Sequence, residues 1–390
     1  MYPTIYHVFL DLFGLDWSPL KFLNSFGFFV AIAFILANWT LSLELRRMEG
    51  LGLMRPSVRT ITVGLPASVG DLIGQFLLGF LLGWKGLYLV MNLAEVTADP
   101  PGFLLSGTGN FLGGIGVGGI LVYLRWREKD KAKLPEPKQE EVKMMPHEHA
   151  GNITIIAAIW GFIGAKTFHW LENPDQFIAF LEDPMGKDII SGLTMYGGLI
   201  MAGAMVIRYF IKHGIPAWSG ADAAAPGVML AYAIGRIGCH VSGDGDWGIV
   251  NNSPAPGWIP NWLWSYDYPN NVNGVGVPIL DGTCFPGYCT VLPHPVYPTS
   301  VYETIMCLAL FAVLWSLRKR LKPAGTIFLL FLFLDGLERF FIEKIRVNVP
   351  VWGTITQAEI IATLLMVFSA AGLIWLRRRS NTTNGPQETH

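Results

Sequence analysis

Charged residues make up only 15% of this 390-residue sequence, against about 25% in soluble globular domains. That scarcity argues against an ordinary soluble enzyme. Positive charge is not in excess either. Lys and Arg number 28 and Asp and Glu 29, a net charge of -1, so no global basic field exists to hold nucleic acid, and no nucleic-acid partner is expected. Four cysteines are too few for a disulfide scaffold. A cleavable leader is also missing from the expected plan. Met1 to Leu20 has no basic start and is broken by Asp11, Asp16 and Pro19, so residues 1–22 read as an interfacial amphipathic segment. What is abundant is apolar: 52% hydrophobic residues, 44 Gly and 14 Trp. Small residues allow close helix packing and Trp marks membrane interfaces. The expected fold is all-α, a polytopic integral membrane helix bundle.

Runs of about 20 apolar residues, the length that spans hydrocarbon as a helix, begin near Ser25, Val69, Phe103, Ile153, Ile190, Ala221, Ser300, Ala324 and Ile355. These make about nine transmembrane helices. Lys and Arg fall in alternate connections: Arg46, Arg47, Arg55 and Arg59; Arg125 through Lys143; Arg208 and Lys212; Arg318, Lys319, Arg320 and Lys322; and Arg377 to Arg379. Positive loops stay inside, which places the N-terminus and the Trp-rich loop 241–297 on the outer, oxidising side. The active face is expected on that outer side.

The hydrophilic run 128–150 mixes both charges with proline and reads as a flexible cytoplasmic linker, with His147 and His149 as solvated loop residues rather than metal ligands. The glycines between Gly107 and Gly119 lie inside an apolar run without a preceding strand, so helix packing is expected rather than a nucleotide loop. In the outer loop, Pro286-Gly287 between Cys284 and Cys289 favours a turn, and a disulfide is predicted.

Ionisable groups within apolar helices are functional candidates. Asp222 and Arg236 bracket the sixth span, Glu303 opens the seventh, and Arg339, Glu343 and Arg346 recur at i, i+4 and i+7 in the eighth, on one expected face. Guanidinium groups bind phosphate oxygens bidentately, so Arg236 with Arg339 forms an expected pocket for a phospholipid head group. The stretch GRIGCHVSGDGDWG, Gly235 to Gly248, then breaks into a Gly- and Asp-rich loop in which Asp244 and Asp246 could orient arginines. It lacks the twelve-residue calcium-loop pattern and its closing Glu, and no metal or cofactor is expected.

These residues together resemble the prolipoprotein diacylglyceryl transferase family. Gly235-Arg236-Ile237-Gly238 with Gly243 and Asp244 is similar to the family signature, and Asp222 and Pro226 fit upstream. Tyr196-Gly197-Gly198-Leu199 stands where the family has His-Gly-Gly-Leu. Pro298 to Glu303 is similar to its His-Pro-Ser-Gln-Leu-Tyr-Glu element, Arg339-Phe340-Phe341-Ile342-Glu343 completes the set, and Thr356-Gln357 with Glu359 matches the polar start of the last helix. Tyr196 replaces a His, Cys239 an Asn, and Phe26, ahead of Gly27, a Tyr. The resemblance covers about Leu23 to Arg47 and Ile153 to Arg379. It divides the chain into a first transferase helix (23–47), an inserted two-helix module (48–127), the linker, a transferase core (151–379) and a cytoplasmic tail (380–390).

The resemblance implies transfer of the diacylglyceryl group of phosphatidylglycerol to the lipobox cysteine in a prolipoprotein signal peptide, with glycerol phosphate released. It implies catalytic roles for Arg236, Arg339, Tyr196, Glu303, Glu343 and His240, with Asp222, Gly197, Gly198, Cys239, Asp244, Arg346 and Phe26 contacting membrane-lipid or peptide substrate. Arg236 and Arg339 would stabilise the departing phosphate. Tyr196, or else His240 or His294, would take the thiol proton. The alternative is a non-catalytic phospholipid-binding protein or transporter.

Overall fold

The computed structural model describes residues 1–97, 103, 106–182, 192–348 and 350–383. Among them a short helix α1 (Ile5–Phe13) precedes nine longer ones: α2 (Ser25–Gly50), α3 (Val69–Met91), α4 (Phe111–Lys131), α5 (Ala150–Glu172), α6 (Met195–Lys212), α7 (Ala217–Ser242), α8 (Thr299–Leu317), α9 (Thr326–Ile342) and α10 (Gln357–Thr383). Five of them, α2, α3, α5, α8 and α10, are long and apolar enough to cross a membrane. Asp222 and Arg236 lie in α7, and Asp335, Glu338 and Arg339 in the 17-residue α9. Leucines along α3 such as Leu77 and Leu81 remain exposed, as a lipid-facing surface requires.

The chain divides into two compact units. The first comprises Met1–Arg55, Pro146–Ile155 and Val206–His390, and the second Pro56–Met145 and Ile156–Met205. Residues 156–205 thus group with 56–145.

In the first unit α7 is the central helix and packs against α2, α8 and α9, while α10 packs on α9. Glycines set the close approach of α2 and α7. A Cβ on Gly227 would lie 2.7 Å from Thr40 Oγ1, and one on Gly238 3.0 Å from Phe29 Cβ. The core runs through Ala225, Met229 and Ala233 of α7, Cys307 and Leu314 of α8 and Ile327 and Phe331 of α9.

The two ends of this unit differ. At one, Arg318 and Arg47 both reach the buried Glu44, Arg318 Nε at 3.0 Å. The loops after α2 and α8 therefore share an end, as the charge pattern requires. At the other, Tyr2 N–H donates to Val241 O at 2.8 Å, and His7 packs on Phe285 with ring centroids 4.4 Å apart. The N-terminal segment and the long loop therefore also share an end. Cys284 and Cys289 form the predicted disulfide in that loop, between the paired strands Val277–Pro278 and Thr290–Val291.

In the second unit α3 packs against α4. Gly113, Gly114 and Gly118 are the contact, as the glycine run predicts: a Cβ on Gly113 would lie 2.7 Å from Gly83 O. The third apolar run is expected from Phe103, but α4 starts at Phe111 because Asn110 caps it, accepting from Gly113 N–H at 2.8 Å. The expected start of the fifth span, Ile190, lies outside the described residues, as does most of the tail 380–390.

The expected flexible linker 128–150 is corrected. Its residues Lys138–Met144 form β2, antiparallel to β1 (Ser57–Val63), with Ser57 opposite Met144 and Val63 opposite Lys138. The β-branched residues of SVRTITV favour an extended strand, and the partner lies far along the sequence. His149 is not solvated either, and His147 is only partly exposed. His149 is buried and bonds Tyr209 Oη at 2.7 Å, and His147 meets Glu49 at 2.9 Å.

Candidate active site

The C-terminal end of α7, the start of α8 and the segments that follow α7 and α9 bring four charged side chains into a closed ring. Arg236, on the last turns of α7, pairs with Glu303 of α8 through Nε–Oε2 at 2.6 Å, and with Asp246 in the loop beyond α7. Arg346 pairs with the other oxygen of each acid, with Glu303 Oε1 at 2.9 Å and with Asp246 Oδ1. Two guanidiniums alternate with two carboxylates, and every carboxylate oxygen has a cationic partner. Glu303 is fully buried and Arg236 is 6% exposed. Such charges are tolerated away from water only because each is matched. Tyr232, one turn before Arg236, donates to Glu303 Oε2 at 2.8 Å.

Local backbone explains the ring. Gly243 ends α7 in the left-handed region at φ 65°, with its N–H on Cys239 O. The chain then turns back, Thr299 Oγ1 donating to Asp246 O at 2.9 Å. Gly248 bridges to Arg346 as an isolated antiparallel pair, and Ile249 N–H donates to Ile345 O at 2.8 Å. Asp246 and Arg346 are thereby pinned together. Burial works against the Asp246 charge, but Arg236 and Arg346 outweigh it and hold the carboxyl below its ordinary 3.8. Burial, then the neighbouring Asp246 charge, push Asp244 the other way.

The expected face Arg339, Glu343, Arg346 is corrected. Helix α9 ends at Ile342, Glu343–Ile345 is a 3-10 turn, and Arg346 is extended at φ -87° and ψ 152°. The i+7 relation therefore fails, and Arg346, not Arg339, shares carboxylates with Arg236. Arg339 pairs with buried Glu343 at 3.1 Å. Glu343 also accepts from Thr356 Oγ1 at 2.8 Å and from Asn348. Thr356 and Glu359 cap α10 reciprocally, at 3.0 and 3.2 Å, which accounts for the polar start of that helix.

Asp222 is likewise relocated. It lies 14 residues before Arg236 on α7, about 21 Å along the helix. Its carboxylate accepts from Gly325 N–H at 2.6 Å and Phe328 N–H at 2.8 Å, capping α9 away from the ring. His240 Nδ1 meets Tyr268 Oη at 3.2 Å, and Tyr268 is a buried anchor of the long loop. Phe26 is partly exposed, and its backbone lies against Gly238. Tyr196, Gly197 and Gly198 belong to the second unit. There both glycines press on α5: a Cβ on Gly198 would lie 2.9 Å from Gly161 O, and one on Gly197 2.7 Å from Gly164 O.

Ligand-type atoms of Cys239, Asp244 and Asp246 lie within 4.8 Å of one another. Both Asp246 oxygens already face guanidiniums, so positive charge is supplied there by arginine.

Sequence reasoning passed over Glu338. It is 4% exposed, and neither carboxylate oxygen has a hydrogen-bond partner among the described residues. It lies within electrostatic reach of Glu303, Asp335, Arg236 and Arg339. One signal was available: Asp335, Glu338 and Arg339 stand at i, i+3 and i+4 in an apolar helix.

The sequence model for prolipoprotein diacylglyceryl transferase matches residues 110–375. Unlike the expected coverage, that match includes α4 and omits 23–47. A phosphatidylglycerol--prolipoprotein diacylglyceryl transferase of Corynebacterium efficiens is 31% identical over 228 residues, 57% of this chain and 66% of that one. A protein of the same name from Bacillus cytotoxicus is 26% identical over 276 residues, 70% of this chain and 87% of that one. With the family match covering well over half of a multi-pass membrane chain, and the arginine–carboxylate ring inside it, this protein belongs to the prolipoprotein diacylglyceryl transferase family.

Proposed function

We propose that this chain transfers the diacylglyceryl group of phosphatidylglycerol to the cysteine thiol of a prolipoprotein lipobox, on the periplasmic face of a bacterial inner membrane. The observation that carries the reading is the ring Arg236–Glu303–Arg346–Asp246 at the end of the unit where the long loop lies. The acceptor sulfur attacks the diacylglyceryl carbon bonded to phosphate. A carbon–sulfur bond forms, the carbon–oxygen bond breaks, and its electron pair leaves on the phosphate of glycerol phosphate.

Negative charge therefore grows on the phosphate as the reaction proceeds. Arg236 and Arg346 are held by shared carboxylates, so they are oriented before substrate arrives and little reorganisation is needed as charge develops. Glu303 and Asp246 are the residues that position them. Arg339, held by Glu343, supplies a third guanidinium. Thiol activation falls to His240, one turn beyond Arg236, or to His294.

Expression in cells depleted of their own transferase tests the reading. Restored diacylglyceryl modification of lipoproteins is expected. Lipid retention by the purified chain, without peptide modification, would leave the non-catalytic alternative standing.

A further inference from the structure

Three arginines at the site are each matched by an acid: Arg236 and Arg346 by Asp246 and Glu303, and Arg339 by Glu343. Glu338 is left over. It is buried on α9 beside Arg339, with both oxygens lacking a hydrogen-bond partner among the described residues. An ionised carboxylate out of water without a partner costs far more than the neutral acid in the same place. Neutrality also removes a charge that would repel an anionic head group. A neutral carboxylic acid beside a phosphate site has one chemical capability that the arginines lack, because it can give up a proton.

Resting on the transferase reading, we infer that Glu338 is the proton donor to the leaving phosphate. Phosphatidylglycerol carries one negative charge on its phosphodiester. Breaking the carbon–oxygen bond places a second on the departing phosphate, whose conjugate acid has a pKa of about 6. As that bond breaks, Glu338 gives its proton to the phosphate oxygen and becomes a carboxylate within electrostatic reach of Arg236 and Arg339 as well as of Glu303 and Asp335. Glycerol phosphate leaves as the monoanion. The thiol proton, taken by the base on the acceptor side, returns to Glu338 before the next turnover. One proton leaves sulfur and one reaches phosphate, so the step balances.

The test uses the full chain in phosphatidylglycerol vesicles with a lipobox peptide. Transfer is followed across pH, alongside retention of labelled phosphatidylglycerol. Glu338→Gln keeps shape and lipid retention, within about twofold. It is expected to lower kcat by at least about 100-fold, the scale of general-acid catalysis. The parental rate should fall as pH rises and the acid is lost, and in Glu338→Gln that basic limb should vanish. Glu338→Asp, which keeps the acid on a shorter arm, should restore part of the rate together with the limb. A merely structural role would lower the amount of active protein without altering the pH profile. Glu338→Gln transferring at more than half the parental rate, or showing the parental basic limb, would overturn the assignment while leaving the transferase reading intact. A parental chain that transfers nothing would overturn both.

Discussion

Replacing Glu303 by Gln should destabilise the protein more than any exposed charge change. Glu303 is fully buried and meets Arg236 at 2.6 Å, Arg346 at 2.9 Å and Tyr232 at 2.8 Å. Glutamine keeps the shape but removes the charge and turns an amide NH2 towards guanidinium donors. The buried Arg236 and the largely covered Arg346 then share Asp246 alone. Breaking a buried pair by removing one partner costs about 3–5 kcal/mol, because the surviving charge is stranded. Tyr232→Phe removes only one hydrogen bond to the same acid and should cost about 1.5–3 kcal/mol. The two residues are in contact, so the double variant should cost less than the sum of the two. Urea unfolding in lipid micelles, followed by far-UV circular dichroism, measures all three. If Glu303→Gln costs under about 1 kcal/mol, as exposed pairs do, the ring does not hold this end of the bundle together.

Asp222→Ala removes the acceptor for two N–H groups at the start of α9. It should cost about 2 kcal/mol in the same unfolding assay and leave the rate of transfer per folded molecule unchanged. Asp246 sits below its ordinary 3.8 in the folded protein. Its contribution to stability should be fully present above about pH 4 and disappear as pH falls through the lower folded value. Asp246→Asn should abolish this acid-side loss in unfolding midpoints measured from pH 2 to 6. Arg346→Lys, which cannot bridge two carboxylates as a planar fork, should lower lipid transfer by about 100-fold. Radiolabelled substrate at equal membrane abundance reads this effect.

Helix positions were legible because a membrane span needs a long apolar run, and the starts at Ser25, Val69 and Ser300 match α2, α3 and α8 within a residue. The run from Phe103 misled because hydropathy is blind to the cap at Asn110. β2 stayed hidden because a strand whose surface is all exposed shows no apolar alternation. At the site, ionisable residues within apolar runs pointed to Arg236, Glu303 and Arg346. Their connection depended on α9 unwinding after Ile342, where helical spacing no longer predicts neighbours. Asp222 was misplaced for a related reason: its partners are backbone N–H groups, which every residue but proline carries. Glu338 lay outside the quoted motifs; its spacing with Asp335 and Arg339 was the signal in the sequence, and its burial without a hydrogen-bond partner among the described residues is what the structure adds.

The central claim is that guanidiniums held in this ring stabilise a departing phosphate. Its most direct measurement is the transfer of labelled diacylglycerol from phosphatidylglycerol to a lipobox peptide by the purified chain and by Arg236→Lys, at matched folded amounts. Thioether-linked peptide and free glycerol phosphate should appear in equal quantity with the parental chain. With Arg236→Lys both should fall by about 100- to 1,000-fold, since lysine keeps the charge but lacks the fork. No product from the folded parental chain, or more than half the parental rate from Arg236→Lys, would contradict the account.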